Sequence, residues 1–228
     1  MDNRAIRSFT PQISDACIAD LLMRLKTTRF PDAETVEDWR QGMPLSYQQE
    51  LIDYWRGDYD FGRVANRLSE FDNFLTEIEG IDIHFIHKRS RHSGATPLLI
   101  THGWPGSLLE YLDVIDALTN PTEFGGTVDD AFHVVLPALP GFGFSDKPDR
   151  PGTDVGVIAN MWEQLMQRLN YTTFYAHGGD WGSIVTQAVL LQETTGCRSG
   201  HCTLPVVMPD ETTLETLQAE EIDALESF

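Results

Sequence analysis

The sequence predicts an α/β protein built around a mostly parallel sheet. Three observations support this class. From Leu98 onward short apolar strands alternate with amphipathic helices, the connections between them are short, and two glycine-rich turns each follow a strand and precede a helix. Such crossovers favour parallel strands that are covered on both faces and joined by right-handed connections.

The first 72 residues predict a meander of helices and loops. Ser14 is a candidate N-cap for a first helix that ends before Pro31. Ser46 and Gln49 match a capping box for a second helix. Residues 64–71 carry apolar side chains at spacings of four and three, which predicts a short third helix.

The core begins with a predicted β-hairpin. Apolar residues alternate over residues 74–78 and 81–85, on either side of a turn at Glu79 and Gly80. Strands and helices then alternate in the order strand Leu98–Thr101, a helix capped by Ser107 and Glu110, strand Phe132–Pro137, helix Val155–Leu169, strand Thr172–His177, helix Trp181–Leu191 and strand Thr203–Val207.

The most informative turn is Gly178–Gly182, which lies between a predicted strand and a predicted helix. It matches the Gly-x-Ser-x-Gly template of a nucleophile elbow, with Asp180 in place of the serine. The flanking glycines permit a sharp turn. A carboxylate is ionised at neutral pH, and the start of the following helix favours that charge. Asp180 is therefore the candidate nucleophile.

A second glycine-rich turn, His102–Ser107, also follows a strand and precedes a helix. In a fold with a nucleophile elbow, this loop supplies the second backbone donor to an oxyanion. We interpret His102 as a residue that fixes the loop by hydrogen bonding, because its place beside the turn suits local bonds. Gly141 and Gly143 lack the third glycine and the helix start of a dinucleotide site, so no cofactor is expected.

Composition and charge exclude several classes. The chain has 16 Lys and Arg against 35 Asp and Glu, and this net charge of −19 argues against binding to nucleic acid or to an anionic membrane. The N-terminus lacks the apolar run of a signal peptide or membrane anchor. Cys197, His201 and Cys202 alternate faces of a strand-like run without a fourth ligand, so no metal site is expected. The cysteine pattern favours a cytoplasmic protein.

Six ordered motifs resemble the epoxide hydrolases of the microsomal and juvenile-hormone type. They are RLKTTRFPD from Arg24, YWRGDYDF from Tyr54, IEGIDIHFIHKRS from Ile78, HGWPGS from His102, LPGFGFSDKP from Leu139 and GGDWGS from Gly178. The resemblance covers nearly the whole chain. It implies an N-terminal meander (residues 1–72), a C-terminally incomplete core of the α/β-hydrolase type with a mostly parallel sheet (73–207), and the acidic start of a cap or tail (208–228).

The resemblance also implies the site and the reaction. Asp180 is the implied nucleophile, and the backbone N–H groups of Trp104 and Trp181 form the implied oxyanion hole. The implied substrate is a small apolar epoxide, which is hydrolysed to a vicinal diol through an aspartyl ester. His177 departs from the glutamine expected there, and we interpret it as a strand-end side chain bonded locally.

The later catalytic groups of this family are not found in the chain. The family places its histidine, the acid that supports it and two cap tyrosines after the nucleophile, whereas all six tyrosines here precede Asp180. The one later histidine, His201, lies in a predicted strand that we expect to carry it away from the turn. We therefore interpret the chain as an N-terminal portion of an epoxide hydrolase, with impaired turnover or none.

Two other functions remain open. A haloalkane dehalogenase also uses an elbow aspartate followed by tryptophan, although the N-terminal meander and the HGWPGS motif favour the first interpretation. The other alternative is a non-catalytic α/β scaffold that binds apolar ligands or partner chains. Because the predicted strand Thr203–Val207 is the last and is apolar, we also expect self-association through an uncovered sheet edge.

Overall fold

A seven-stranded mixed sheet runs through the residues that the computed structural model describes, which are 5–193, 195–206, 213 and 216–226. The strands are β1 Arg7–Ser8, β2 Asn73–Ile78, β3 Ile81–Lys88, β4 Thr96–Thr101, β5 Phe132–Pro137, β6 Phe174–Gly178 and β7 Cys197–Cys202. The helices are α1 Asp15–Lys26, α2 Leu45–Gly57, α3 Gly62–Leu68, α4 Ile115–Thr119, α5 Val155–Arg168, α6 Trp181–Leu190 and α7 Ala219–Glu226. None of the described helices has both the length and the apolar run needed to cross a membrane.

The order of the strands places the two glycine-rich turns side by side. The sheet order is β1-β2-β3-β5-β4-β6-β7, with parallel pairing from β5 through β7 and antiparallel pairing from β1 to β5. After β4 the chain adds β5 on one side and later β6 on the other. The carboxyl ends of β4 and β6 therefore border a topological switch point, which is where ligands bind in open α/β sheets.

The two faces of the sheet bury separate apolar clusters. The cluster under α5 and α6 includes Phe85, Leu99, Ala176, Trp162 and Val185. The cluster on the opposite face, next to α3 and α4, includes Ile86, Ile100, Leu136, Leu68 and Ile115. Neighbouring residues of β3 and β4 thus enter different clusters, because successive side chains of a strand point to opposite faces. The predicted α/β class with a mostly parallel sheet is confirmed.

The helices of the N-terminal meander agree with the sequence in position, but not in every cap. The Ser14 hydroxyl accepts a hydrogen bond from the Cys17 N–H at 3.3 Å, as expected of the N-cap of α1. The predicted capping box of α2 is wrong. This helix starts at Leu45 after Pro44, so Ser46 lies inside its first turn, and the Leu45 N–H bonds the Glu34 carboxylate at 2.8 Å instead. β1 is a short strand that the sequence analysis did not foresee.

Two further boundaries differ from the predictions. The helix expected after Ser107 is divided into a 3-10 turn at Leu108–Tyr111 and α4. The prediction missed this division because the spacing of apolar residues indicates which side chains are buried and not which type of helix carries them. Among the described residues the last strand is β7 rather than the predicted Thr203–Val207, of which residues 203–206 are not in a strand and Val207 lies outside the described residues. The Thr203 N–H donates to Gly178 O at 3.2 Å, and Pro205 then offers no N–H to continue the ladder.

The expected apolar edge is also wrong, for a related reason. β7 is an edge strand of the described sheet, but its sequence CRSGHC is polar and mostly exposed. Apolar surface lies instead on one face of the sheet, in an open groove of about 760 Å³. The groove is lined by residues of β4, β6 and β7 and by the segment before β5, among them Leu98, Ile100, Tyr111, Val114, Phe132 and Tyr175.

Candidate active site

The chain turns sharply at Asp180, between β6 and α6. Asp180 has φ 53° and ψ −126°, a left-handed backbone conformation that is strained for any residue other than glycine. The elbow packs directly against the end of β4, because a Cβ at Gly182 would lie 2.0 Å from the Thr101 carbonyl oxygen. Only glycine fits at this contact. The Asp180 side chain is exposed at the apex of the turn.

The loop after β4 holds this carboxylate with its backbone. The Trp104 N–H donates to Asp180 Oδ1 at 2.7 Å. This short bond depends on Gly103, since a Cβ there would lie 2.4 Å from both Cβ and Oδ1 of Asp180. The two glycine-rich turns that the sequence singled out are therefore in contact, and one of the two backbone donors implied by the resemblance is aimed at the candidate nucleophile.

Electrostatics keep the Asp180 carboxylate ionised. The Trp104 N–H is the main cause of a lowered pKa for this group, and the Trp181 N–H adds to it, while partial loss of solvent opposes both. Two backbone donors thus converge on one carboxylate at the start of a helix. Such N–H groups bind a negative oxygen without any side chain having to reorganise.

His102 fixes the loop, in agreement with the interpretation of the sequence. The ring is buried, with Nδ1 3.0 Å from Gly103 O and Nε2 3.0 Å from the Leu139 nitrogen. A backbone N–H only donates, so Nε2 is the acceptor and Nδ1 carries the proton. Burial lowers the pKa of His102. Both nitrogens are occupied by backbone groups, and the ring is not available as a base.

His177 does not have the local partner that the sequence analysis expected. Its Nδ1 lies 2.9 Å from Nδ1 of His201 on the neighbouring strand, and the edge of its ring packs against Tyr111. Tyr111 also reaches the elbow, where the Gly179 N–H bonds its hydroxyl group. The contacts of His201 are with His177 rather than with the Asp180 carboxylate. No signal in the sequence joins these three rings, because the pairing of β6 with β7 brings them together.

The indole rings of Trp104 and Trp181 do not enclose a pocket among the described residues. The two side chains are 64% and 50% exposed, so both rings are open to solvent above the carboxylate. Groups of three or more His, Cys, Asp or Glu side chains arranged to hold a metal ion do not occur in the ranges that the structure covers.

Comparison with known protein families agrees with this geometry. The model for the α/β hydrolase fold matches residues 96–223, and the model for the epoxide hydrolase N terminus matches residues 6–111. The chain belongs to the α/β-hydrolase fold family. Within that family it groups with the epoxide hydrolases, by sequence and by structure.

Relatives and solved structures share most of this chain. A Stigmatella aurantiaca protein that carries a provisional epoxide hydrolase name is 48% identical over 96% of this chain and 50% of its own length. Epoxide hydrolase 1 of Oryctolagus cuniculus is 32% identical over 99% of this chain and 50% of its own length. The crystal structure of juvenile hormone epoxide hydrolase from Bombyx mori superposes with a TM-score of 0.75 at 31% identity, covering 87% of this chain and 53% of that one. The chain thus spans about half the length of the curated relatives it matches.

Proposed function

We propose that this chain provides the nucleophile and the oxyanion site of an epoxide hydrolase, which converts a small apolar epoxide and water into a vicinal diol. The observation that carries the proposal is the 2.7 Å hydrogen bond from the Trp104 N–H to Asp180 Oδ1, at the apex of a strained turn. The names of the relatives support the choice of an epoxide as substrate.

The first step forms an ester. An oxygen of the Asp180 carboxylate attacks one carbon of the epoxide, the bond from that carbon to the ring oxygen breaks, and the ring oxygen takes up a proton to become a hydroxyl group. Asp180 needs no base for this attack, because its depressed pKa keeps it anionic at neutral pH. Strain in the three-membered ring supplies the driving force.

The second step regenerates Asp180. Water adds to the carbonyl carbon of the ester and gives up one proton to solvent, and the carbonyl oxygen becomes negative. The N–H groups of Trp104 and Trp181 now bind this oxyanion, just as they act on the free carboxylate. The carbon–oxygen bond to the alkyl group's oxygen breaks on the acyl side, that oxygen takes a proton, and the diol leaves.

The same geometry disfavours attack on an ester or amide carbonyl. Asp180 would form an anhydride with such a substrate, and the anhydride would readily expel the carboxylate again. A chain without a general base near the ester is also expected to turn over slowly, since general acid and general base assistance each supply about two to four orders of magnitude. Without a general acid at the ring oxygen the ester forms slowly, and without a general base the diol is released slowly, so we expect the 228-residue chain to be slow in both steps.

Two alternative functions are less well supported. A haloalkane dehalogenase would use the same aspartate, but the match to the epoxide hydrolase N terminus over residues 6–111 favours an epoxide. A non-catalytic scaffold would have no need of an exposed carboxylate in a strained turn with two N–H donors.

Covalent labelling tests the proposal. An aryl epoxide incubated with the chain is expected to add its full mass to one residue, and peptide mapping should place the adduct on Asp180. Asp180→Asn serves as the matched variant and should take no label. Asp154→Asn is the control. Asp154 caps the start of α5 and has no part in the elbow, so this substitution should leave labelling intact. Label on another residue, or label that persists in Asp180→Asn, would contradict the proposal.

We also propose that the chain works in a reducing compartment, the cytoplasm. Cys17, Cys197 and Cys202 are free thiols, and burial raises the pKa of Cys197 to about 11. A thiol with so high a pKa is protonated and unreactive at neutral pH. Counting of free thiols in the protein isolated from its native cell tests this placement, and a blocked or bridged Cys17 would contradict it.

A further inference from the structure

Two histidines from neighbouring strands meet on the face of the sheet, next to the elbow. His177 on β6 pairs directly with His201 on β7, and their Nδ1 atoms are 2.9 Å apart. The ring planes differ by 17°. Neutral imidazole has one donor nitrogen and one acceptor nitrogen. In a direct hydrogen bond between the two Nδ1 atoms, one Nδ1 therefore donates its proton and the other accepts with its lone pair.

The distance suits a particular metal geometry. Metal–imidazole bonds are about 2.0–2.1 Å long, so two adjacent nitrogens of a square-planar or tetragonal site lie about 2.9 Å apart, whereas two nitrogens of a tetrahedral site lie about 3.4 Å apart. The observed separation matches the first arrangement. Cu²⁺ and Ni²⁺ prefer square-planar or tetragonal sites, and Cu²⁺ binds nitrogen ligands most tightly of the divalent first-row ions.

The surroundings favour a cation and allow it to enter. His201 is exposed, and both histidines line the open groove on the sheet face, whose lining also includes Glu110. The ring of Tyr111 packs edge-on against His177 with the ring centroids 5.5 Å apart, which fixes the orientation of that imidazole. A net charge of −19 raises the local concentration of cations.

We propose that His177 and His201 form a two-imidazole binding site for Cu²⁺ or Ni²⁺, in which water fills the remaining positions. The site links the ends of β6 and β7, three residues before Asp180. It departs from the sequence-based expectation of no metal site, for which Cys197, His201 and Cys202 were the ligands considered. A cross-strand pair brings together residues that are 24 positions apart.

Titration with Cu²⁺ tests the site in the full chain carrying Cys17→Ser, which removes the exposed thiol as a competing ligand. Calorimetry is expected to show one site, and electron paramagnetic resonance should show coupling to two nitrogen atoms. His177→Gln and His201→Gln should each weaken binding by roughly tenfold or more, since even groups that only orient a metal ligand contribute 10- to 100-fold. Each variant should also lose the coupling of one nitrogen.

His92→Gln is the control, because it removes a histidine outside the groove and should bind Cu²⁺ like the parent. A second measurement needs no substitution. Diethyl pyrocarbonate modifies accessible imidazoles, and Cu²⁺ should protect His177 and His201 from it by at least roughly tenfold if both nitrogens hold the metal. Equal Cu²⁺ affinity in the parent and both pair variants, or equal modification with and without Cu²⁺, would overturn the proposal.

Discussion

Trp104 and Asp180 are separated by 76 positions in the chain and joined by a 2.7 Å hydrogen bond. The donor is a backbone N–H in the loop after β4, and the acceptor is the carboxylate at the elbow after β6. A backbone N–H has no rotamers, so this bond holds the carboxylate of the candidate nucleophile in one position. In the proposed mechanism, the same bond identifies the oxygen that would become the oxyanion once the carboxylate has been esterified.

Gly103→Ala is expected to slow hydrolysis of the Asp180 ester about 10²- to 10³-fold, the usual cost of losing one oxyanion donor. The added methyl group would lie 2.4 Å from Oδ1 of Asp180, so the loop must withdraw the Trp104 N–H from the carboxylate. The rate at which the labelled protein loses the added mass, after excess epoxide is removed, measures this. Gly94→Ala is the control, because a Cβ at Gly94 meets no atom within 4 Å. Equal rates in Gly103→Ala and the parent would show that the contact does not matter.

Labelling of Asp180 should be independent of pH between pH 5 and pH 8. The two N–H donors lower the pKa of Asp180 below its ordinary value of 3.8, so the group stays anionic throughout this range. Loss of labelling is expected only as the pH falls through that depressed pKa. Labelling rates in a series of buffers at constant ionic strength provide the test. A fall in the rate between pH 7 and pH 6 would point to a histidine in the attack.

The protein should lose stability as the pH falls from 7 to 5. Burial lowers the pKa of both His84 and His87 to about 4, with Arg89 adding to the effect on His87. The unfolded chain takes up protons at these positions below about pH 6.5, whereas the folded chain does so only near pH 4. Stability is therefore fully present above pH 6.5 and is lost on acidification, by about 2 kcal/mol for each histidine at pH 5.

Urea unfolding at pH 7 and pH 5 measures this loss. His84→Gln should make the difference between the two pH values smaller by about 2 kcal/mol, because the group that titrates is gone. Neutral His84 donates from Nε2 to Asn73 Oδ1 at 2.9 Å, and glutamine retains a donor for that partner. A difference that His84→Gln does not change would contradict the assignment.

Self-association of the 228-residue chain should proceed through the groove on the sheet face rather than through the polar edge strand β7. Val114 lines this groove and is 43% exposed, so Val114→Lys should shift the mass measured by light scattering toward the monomer. Leu191→Lys is the matched control, since Leu191 is 84% exposed and lies outside the groove. A monodisperse monomer with a sharp thermal transition in the parent would mean that the groove needs no partner.

The order of the core elements was predictable because local patterns determine it. The hairpin around Gly80, strand Phe132–Pro137 and the helix that begins at Val155 all lie where alternating or helical spacing placed them. The limit of the last strand was not predictable from apolar content. Val206 is apolar, yet the last ladder bond runs from the Thr203 N–H to Gly178 O, and Pro205 offers no N–H to continue it.

Only part of the candidate site was predictable from the sequence. The glycines that sharp turns require locate Asp180 and the loop after β4, and the resemblance implies the backbone donors at Trp104 and Trp181. The ring cluster beside them depends on which strands pair. Tyr111 and His201 approach His177 only because β6 pairs with β7 and the 3-10 turn after Ser107 lies over the end of β6. No local motif carries that information.

The contact of Gly182 with the Thr101 carbonyl group has a consequence for the entropy of reaction. Elbow and β4 meet backbone to backbone at this point, with a hypothetical Cβ only 2.0 Å from the oxygen. No torsion of a side chain separates the helix that starts after Asp180 from the strand that leads to Trp104. Little conformational entropy is therefore lost when the carboxylate reacts, because folding has already aligned the carboxylate with its donor. Changes in the distance between nucleophile and donor would require an altered backbone path, for example an insertion in one of the two loops.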